Sequence, residues 1–174
     1  MTEIRQSNPT QTLAAVCDTV DRLVEAVSAQ LAGREETVRA AVAAFVAGGH
    51  ILLEGPPGSG KTRLATALAG AADLAVRRVA MTPDSIPSDL TGSEIVERGG
   101  AVGRFRPGPL FTNVLVVDGL DRGTPRTQAA LLEAMQERRV TVGGRTRDLP
   151  GPFTVIACTN PRATEGVRRT ADRF

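Results

Sequence analysis

Two stretches near the start of the chain have the hydrophobic spacing of amphipathic helices. Between residues 13 and 31, apolar side chains recur every three or four positions and so line one face of a helix. A second stretch with this spacing runs from Glu35 to Val46 and ends at a pair of glycines. We expect both stretches to be helices that pack their apolar faces against the rest of the fold.

Downstream, short apolar runs alternate with segments of helical spacing, and two further pairs of runs flank glycine pairs as the strands of β-hairpins do. The predicted strands are 50–54, 76–81, 114–117 and 153–158; the helices are 62–69 and 124–137; the hairpins are 94–97 with 101–105 and 139–142 with 145–149; a loop spans 82–92. This order predicts an α/β sandwich with a mainly parallel sheet, whose ligand lies beyond the carboxyl ends of the strands.

Size and charge narrow the classes of protein. The 174 residues, 41% of them hydrophobic, suffice for one core. A net charge of +2 and 3% aromatic residues give no sign of a nucleic-acid partner. Neither an apolar run of eighteen residues nor a signal-peptide core is present, so we expect a cytoplasmic protein without a membrane span. Cys17 and Cys158 lack metal-ligand spacing, and we expect both to be reduced core residues.

The segment GPPGSGKT, from Gly55 to Thr62, has the pattern of a phosphate-binding P-loop between a predicted strand and a predicted helix. Its glycines let backbone N–H groups turn toward an anion, and the helix N-terminus adds a partial positive charge. The predicted nucleotide-binding residues are Gly55, Pro56, Pro57, Gly58, Ser59, Gly60, Lys61, Thr62 and Arg63. We therefore predict that the chain binds ATP with Mg²⁺, with Thr62 as a metal ligand.

The distribution of basic residues supports this interpretation. Of the 21 Lys and Arg residues, Lys61 is the only lysine, and it stands inside the P-loop. A compact ammonium on a flexible stem suits the β- and γ-phosphates there better than a planar guanidinium does.

Two polar residues follow predicted strands where they would face the nucleotide. Asp118 closes the run 114–117, and we expect its strand to lie next to the P-loop strand, with the carboxylate reaching Mg²⁺ through water. Asn160 follows the strand 153–158 and would orient the attacking water or sense the γ-phosphate. His50, which precedes a buried strand, is interpreted as a structural residue.

Three segments resemble the MoxR family of AAA+ ATPases, and the resemblance extends from about Leu23 to the end of the chain. They are TPDSIPSDLTGSE (82–94), FRPGPLF (105–111) and TQAALLEAMQERRVTVGG (127–144). The resemblance implies an AAA+ P-loop NTPase core with Asp118 as the Walker B aspartate and Asn160 as the sensor-1 asparagine. It further implies a trans-acting arginine finger at Arg173, and adenine near residues 33–35.

The same resemblance implies a homo-hexameric ring that remodels partner proteins in a chaperone-like way, often beside von Willebrand factor A-domain partners. On this basis we divide the chain into an N-terminal helical segment, 1–31, and an AAA+ nucleotide-binding core, 32–174. The core is expected to be incomplete, because no segment matches the C-terminal helical lid of the family.

The chain departs from the family after the Walker B aspartate. Where the family has the glutamate that polarises the attacking water, this sequence has Gly119, and Asp121 stands where the family more often has asparagine. Because loss of a positioned general base costs about 10²- to 10⁴-fold in rate, binding could survive without turnover. The first hypothesis is an ATP-hydrolysing remodeller, and the alternative is a nucleotide-binding but hydrolysis-deficient AAA+ module. A nucleic-acid translocase is disfavoured by the weak net charge.

Overall fold

The computed structural model describes residues 9–31, 33–96 and 102–160. Its helices are α1 (Pro9–Ser28), α2 (Glu35–Val46), α3 (Lys61–Ala71), α4 (Pro87–Thr91) and α5 (Pro125–Glu137). Its strands are β1 (Ile51–Glu54), β2 (Val76–Ala80), β3 (Gly92–Val96), β4 (Val102–Pro107), β5 (Val114–Asp118), β6 (Arg139–Val142), β7 (Arg145–Asp148) and β8 (Thr154–Thr159). Among these residues, no helix is long and apolar enough to cross a lipid bilayer.

The central sheet contains four parallel strands in the order β1, β8, β5, β2. The expectation that the Asp118 strand lies beside the P-loop strand was wrong, because β8 lies between β5 and β1. After β5 the chain crosses over through α5 and a hairpin and returns in the middle of the sheet. The apolar runs look alike in the sequence, so they do not encode this order. The insertion places Asn160, which follows β8, between the P-loop and Asp118.

Side chains of the central strands alternate between two hydrophobic clusters. Val114 and Val116 face a cluster formed with α1, α2 and α3, whereas Leu115 and Val117 face a cluster formed with α4 and α5. Because helices cover both faces, β5 is apolar at every position before Asp118, as parallel strands buried on both faces are. The predicted αβα sandwich is confirmed.

Both hairpins form largely as predicted. β3 pairs antiparallel with β4, with an irregularity between Glu94 and Val96, and β6 pairs with β7 around a turn at Gly143 and Gly144. The glycine turn expected near residue 99 lies outside the described residues. The predicted loop 82–92 contains the short helix α4. Its first residue is Pro87, and proline favours the first position of a helix.

The two cysteines differ in environment. Cys158 is buried in the central sheet as predicted, but Cys17 on α1 is exposed, so the expectation that both lie in the core was wrong for Cys17. The partial burial of α1, whose apolar stripe leaves other positions in solvent, explains the difference.

His50 joins β1 to the rest of the fold. Its Nδ1 accepts a hydrogen bond from the Val155 N–H at 2.9 Å, and its Nε2 donates to the Met135 carbonyl at 3.3 Å. Burial lowers the pKa of His50, which keeps the ring neutral and suits one accepting and one donating nitrogen. The structural interpretation of this histidine is confirmed.

Candidate functional site

The P-loop connects β1 to α3 with two glycines in the left-handed region. Gly58 has φ +78° and Gly60 has φ +87°, and only glycine adopts such values without strain. The first backbone N–H groups of α3, from Lys61 onward, have no carbonyl partner within the helix. The loop and the helix start therefore direct unpaired donors toward the space above the sheet, where an anion fits.

The Lys61 ammonium is folded over this loop. Its Nζ donates to the Gly55 carbonyl at 2.6 Å, to the Pro56 carbonyl at 3.0 Å and to Ser59 Oγ at 3.4 Å. These oxygens of the loop thus hold the positive charge of Lys61 beside the backbone N–H groups that are free to bind an anion. A phosphate entering the loop would compete with these oxygens for the ammonium.

Thr62 and Asp118, predicted as metal ligands from distant parts of the sequence, lie in contact. The Thr62 hydroxyl donates to Asp118 Oδ1 at 3.2 Å. The other carboxylate oxygen accepts a hydrogen bond from Arg78 Nε at 2.5 Å and forms an ion pair with that guanidinium. Sequence reasoning missed Arg78. The available signal was two adjacent arginines inside an otherwise apolar predicted strand, which marks the edge strand β2.

The turn after Asp118 begins with Gly119 in the left-handed region, at φ +67°. A Cβ atom at this position would collide with the guanidinium of Arg122, which folds back over the glycine. The arginine therefore occupies the space beside Asp118 that a side chain at position 119 would enter.

Asp121 lies in the same turn and faces the cleft. One of its carboxylate oxygens accepts a hydrogen bond from the Thr159 hydroxyl at 3.1 Å. This contact brings Asp121 next to the end of β8, where Asn160 follows. The Asp121 carboxylate therefore lies at the cleft that Lys61 and Asp118 also line.

Asn160 supplies a buried oxygen that needs a partner. Within the described residues its Oδ1 has no hydrogen-bond partner, and the residue lines the cleft that also contains Lys61 and Asp118. A buried unpaired amide oxygen is costly unless water or a ligand donates to it. Water molecules around a phosphate group bound in the cleft could donate to this oxygen, so the residues present fit such a ligand.

The cleft that unites these residues has a volume of about 500 Å³. Its charged lining comprises three cations and two carboxylates: Lys61, Arg78, Arg122, Asp118 and Asp121. In the part of the chain that the structure describes, no cluster of three His, Cys, Asp or Glu could hold a metal ion by itself. A metal at Thr62 and Asp118 would therefore need oxygens from phosphate and water, as Mg²⁺ with a nucleotide does.

A smaller apolar cavity of about 40 Å³ lies on the other side of the P-loop. Its lining includes Leu31, Arg34, Val38, Leu53 and Leu64, together with the loop residues Ser59 and Gly60. It adjoins the segment 33–35 that the family resemblance associates with adenine.

Cys158 lies in the wall of the cleft next to Asp118. Burial raises the pKa of its thiol to about 11, and the negative charge of Asp118 contributes in the same direction. The thiol is therefore neutral near pH 7 and adds no charge to the cleft.

Two predicted site residues do not join this group. Arg63 is exposed and its side chain is outside the linings of both cavities. Arg173 lies outside the described residues, as does the chain end to which the prediction of a missing lid refers.

Comparisons with known proteins agree with this geometry. The profile of the ATPase family associated with various cellular activities (AAA) matches residues 50–173. Protein YeaC of Bacillus subtilis is 41% identical over 145 residues, which cover 83% of this chain and 45% of YeaC. Chaperone MoxR1 of Mycobacterium tuberculosis is 37% identical over 155 residues, covering 89% of this chain and 41% of MoxR1.

A solved structure from Cytophaga hutchinsonii, assigned as an ATPase, superposes with a TM-score of 0.73 at 34% identity and covers 94% of this chain and 53% of that one. The chain spans less than half the length of the two curated relatives. The family match, the MoxR-named relatives and the shared fold together place this chain among the AAA+ ATPases of the MoxR type.

Proposed function

We propose that the chain binds Mg²⁺ and ATP in the cleft between the P-loop and Asp118. The observation that carries the proposal is the meeting of three features at one sheet edge: the glycine-shaped P-loop, the Lys61 ammonium and the contact between Thr62 and Asp118. The loop and Lys61 bind the phosphates, Thr62 and Asp118 hold the metal, and residues 33–35 border the adenine.

The remaining roles follow the family resemblance. Asn160 orients water, Arg173 completes the site of a neighbouring subunit in a homo-hexameric ring, and Arg63 contributes its backbone N–H rather than its side chain. The chain remodels partner proteins in a chaperone-like way, which the name of its relative Chaperone MoxR1 supports. One candidate client is a von Willebrand factor A-domain protein, and the site of action is the cytoplasm. Residues 1–31 form a helical segment and residues 32–174 form the nucleotide-binding core.

Isothermal titration calorimetry with ATP in the presence of Mg²⁺ tests the binding step. We expect Lys61→Ala to weaken binding by about 10- to 100-fold, because a charged hydrogen bond to phosphate contributes about 1.5–3 kcal/mol. Arg63→Ala is the matched control, since this neighbouring cation lies outside the cleft. Absence of binding by the natural chain, or equal losses in both variants, would refute the proposal.

A second candidate function is nucleotide binding without hydrolysis. Gly119 favours it, because no carboxylate follows Asp118 and the Arg122 guanidinium fills that space. The carboxylate that could act instead belongs to Asp121, which already accepts a hydrogen bond from Thr159.

Phosphate release by the natural chain separates the two candidates. If hydrolysis is measurable and Asp121→Asn abolishes it while ATP binding persists, Asp121 serves as the base and the first candidate holds. If tight binding occurs with no phosphate release above that of Lys61→Ala, the second candidate holds.

A further inference from the structure

The two hairpins that project from the nucleotide-binding core contact each other through three side chains. Glu94 on β3 and Phe105 on β4 lie opposite one another in the first hairpin and so share one face. Arg147 on β7 of the second hairpin contacts both: its Nη2 donates to Glu94 Oε1 at 3.3 Å, and its guanidinium lies 4.0 Å from the centre of the Phe105 ring. We propose that these residues fasten the hairpins into a single arm, carried by α5, that follows the conformation of the turn after Asp118.

The environment of the ion pair favours a specific junction over a surface contact. Both side chains, Glu94 and Arg147, are only 20% exposed, so solvent screens their attraction less than it would at the surface. Phe105 packs edge to face on Phe111 at 5.4 Å between ring centres, and Phe111 packs on the hydrophobic cluster beneath α5. The junction is therefore anchored on the core of the domain.

Arg147 also secures its own hairpin. Its Nη1 donates to the carbonyls of Val142 and Arg145, each at 3.2 Å, on either side of the glycine turn. One guanidinium thus fixes the turn of the second hairpin and binds the acid of the first. A planar group with several donors suits this double role, which an ammonium would not fill in the same way.

The turn itself is shaped to receive Glu94. A Cβ atom on Gly143 would overlap the Glu94 carboxylate, whereas a Cβ atom on Gly144 would meet no atom within 4 Å. Both glycines have positive φ, +59° and +72°, so both carry the same backbone requirement. Only Gly143 also lies against the Glu94 carboxylate, so a side chain there would displace the carboxylate from its place beside Arg147.

Helix α5 runs from the turn beside the cleft, which its start contacts, to the second hairpin, which follows its end. At its start, Gln128 Nε2 donates to the carbonyls of Leu120 at 2.9 Å and Gly123 at 3.2 Å, which hold the turn after Asp118. Its last residue, Glu137, is separated from β6 of the second hairpin by a single residue. Movement of the turn would therefore tilt the helix and the second hairpin together.

The first hairpin is attached to the same helix. The hydroxyls of Thr124 and Thr127 donate to the Ser85 carbonyl, at 3.4 and 2.7 Å. Ser85 lies just before α4, which leads directly into β3. Each hairpin is thus tied to α5 separately and to the other hairpin through Arg147, which closes a ring of contacts.

Hydrogen exchange measured by mass spectrometry tests the fastening without any nucleotide. We expect Gly143→Ala to push the Glu94 carboxylate away from Arg147 and to speed amide exchange in residues 92–96 and 102–107 by about three- to tenfold. Gly144→Ala, with the same backbone strain in the same turn, should leave that exchange within about twofold of the natural chain. Equal effects of the two substitutions on the first hairpin would overturn the fastening.

A Glu94→Ala background separates loss of the Glu94 contact from a general loss of folding. In a Glu94→Ala background the collision is removed, so Gly143→Ala and Gly144→Ala should have equal effects on the first hairpin. If Gly143→Ala still loosens that hairpin more than Gly144→Ala does in this background, contact with Glu94 is not the cause and the proposal fails.

The claim that the arm moves with the turn after Asp118 when nucleotide binds rests on the proposed function, and a separate measurement tests it. With Mg²⁺ and the imido analogue of ATP, we expect exchange in both hairpins to change together in the natural chain. In Gly143→Ala, where the first hairpin keeps its link to α5 through Ser85 but loses the Glu94 contact, we expect its change to be smaller than that of residues 139–148. Independent responses in the natural chain would overturn this claim. If calorimetry shows that the analogue does not bind, the proposed function and this claim both fail, and the comparison of Gly143→Ala with Gly144→Ala alone decides the fastening.

Discussion

The P-loop and the turn after Asp118 both follow a parallel strand at the same edge of the sheet, and both depend on glycines with positive φ. They differ in where their backbone groups point. In the loop 55–60, two residues are prolines, and Gly55 and Ser59 donate to the carbonyls of Thr159 and Pro56. Gly58 and Gly60 donate to no other group among the described residues. In the turn, Gly119 donates its N–H to Cys158, Arg122 to Gly119 and Gly123 to Leu120.

The difference shows that the two glycine-bearing segments perform different tasks. The P-loop leaves the N–H groups of Gly58 and Gly60 free beside those at the start of α3, so an anion can bind there whatever most of the loop's side chains are. The turn uses the N–H groups of Gly119, Arg122 and Gly123 in internal hydrogen bonds, so it meets the cleft mainly through its side chains. Because Gly119 has no side chain, no carboxylate directly follows Asp118, and the proposed binding of ATP can be tested separately from its cleavage.

Restoring a carboxylate to the turn should have the largest effect. We expect Gly119→Glu to raise phosphate release by about 10²- to 10⁴-fold, since it supplies a general base beside Asp118. The left-handed backbone should lower the free energy of unfolding by about 1–2 kcal/mol, as measured by urea denaturation.

Gly119→Ala is the matched control, because it carries the same backbone strain and the same collision with Arg122 without a carboxylate. An equal gain of phosphate release in Gly119→Ala would show that displacement of Arg122, rather than a base, limits turnover.

The buried thiol of Cys158, in the wall of the cleft next to Asp118, should react slowly with alkylating reagents. Since burial raises the pKa of Cys158 from 9.0 to about 11, iodoacetamide at pH 8 should modify it about 100-fold more slowly than an unburied thiol. Cys17, which is exposed, should react first, and Cys17→Ser isolates the buried thiol. Rapid modification of Cys158 in the folded Cys17→Ser variant would contradict the closed packing behind Asp118.

The same thiol predicts a dependence of stability on pH. Because its pKa is raised from 9.0 to about 11 by folding, the Cys158 thiol ionises between these pH values in the unfolded chain but not in the folded one. The unfolded chain then binds fewer protons, so the free energy of unfolding should fall as pH rises through this window. Urea denaturation of the natural chain and of Cys158→Ala across these pH values measures the effect, and parallel curves would exclude it.

Glycines at the two ends of α3 should respond to alanine with opposite signs. Gly60→Ala should lower the free energy of unfolding by about 1–2 kcal/mol, because φ is +87° there. Gly70→Ala should raise it by about 0.5–1 kcal/mol, because Gly70 lies within the helix with open space around its Cβ position. Urea denaturation of both variants measures the pair, and shifts of the same sign would show that the P-loop backbone relaxes.

The ion pair between Arg78 and Asp118 should contribute least to stability. The Arg78 side chain is 64% exposed, so solvent screens the pair, and Arg78→Gln should change the free energy of unfolding by less than about 1 kcal/mol. A loss well above this value in urea denaturation would show that the pair supports the fold rather than the cleft.

Much of the fold and of the site could be predicted from the sequence because those features are local. The P-loop depends on glycine conformations and one lysine within a single short segment, and the helices and strands follow hydrophobic periods of about 3.6 and about 2 residues. The αβα sandwich and the family resemblance could therefore be inferred from the residues alone. Helix α4 was missed because its five residues lie in a segment whose proline, serine and aspartate indicate a loop.

The sequence by itself determined the P-loop pattern, predicted Asp118 as the aspartate that acts with it, and fixed the absence of a side chain at position 119. Only the tertiary structure decided that β8 lies between β1 and β5, that Arg78 reaches Asp118, that Arg122 covers Gly119, and that Arg147 joins the hairpins. The physical reason is how far apart along the chain the interacting residues lie. Backbone conformation is set by neighbours a few residues away, whereas strand order and contacts between long side chains depend on how separate segments pack in space.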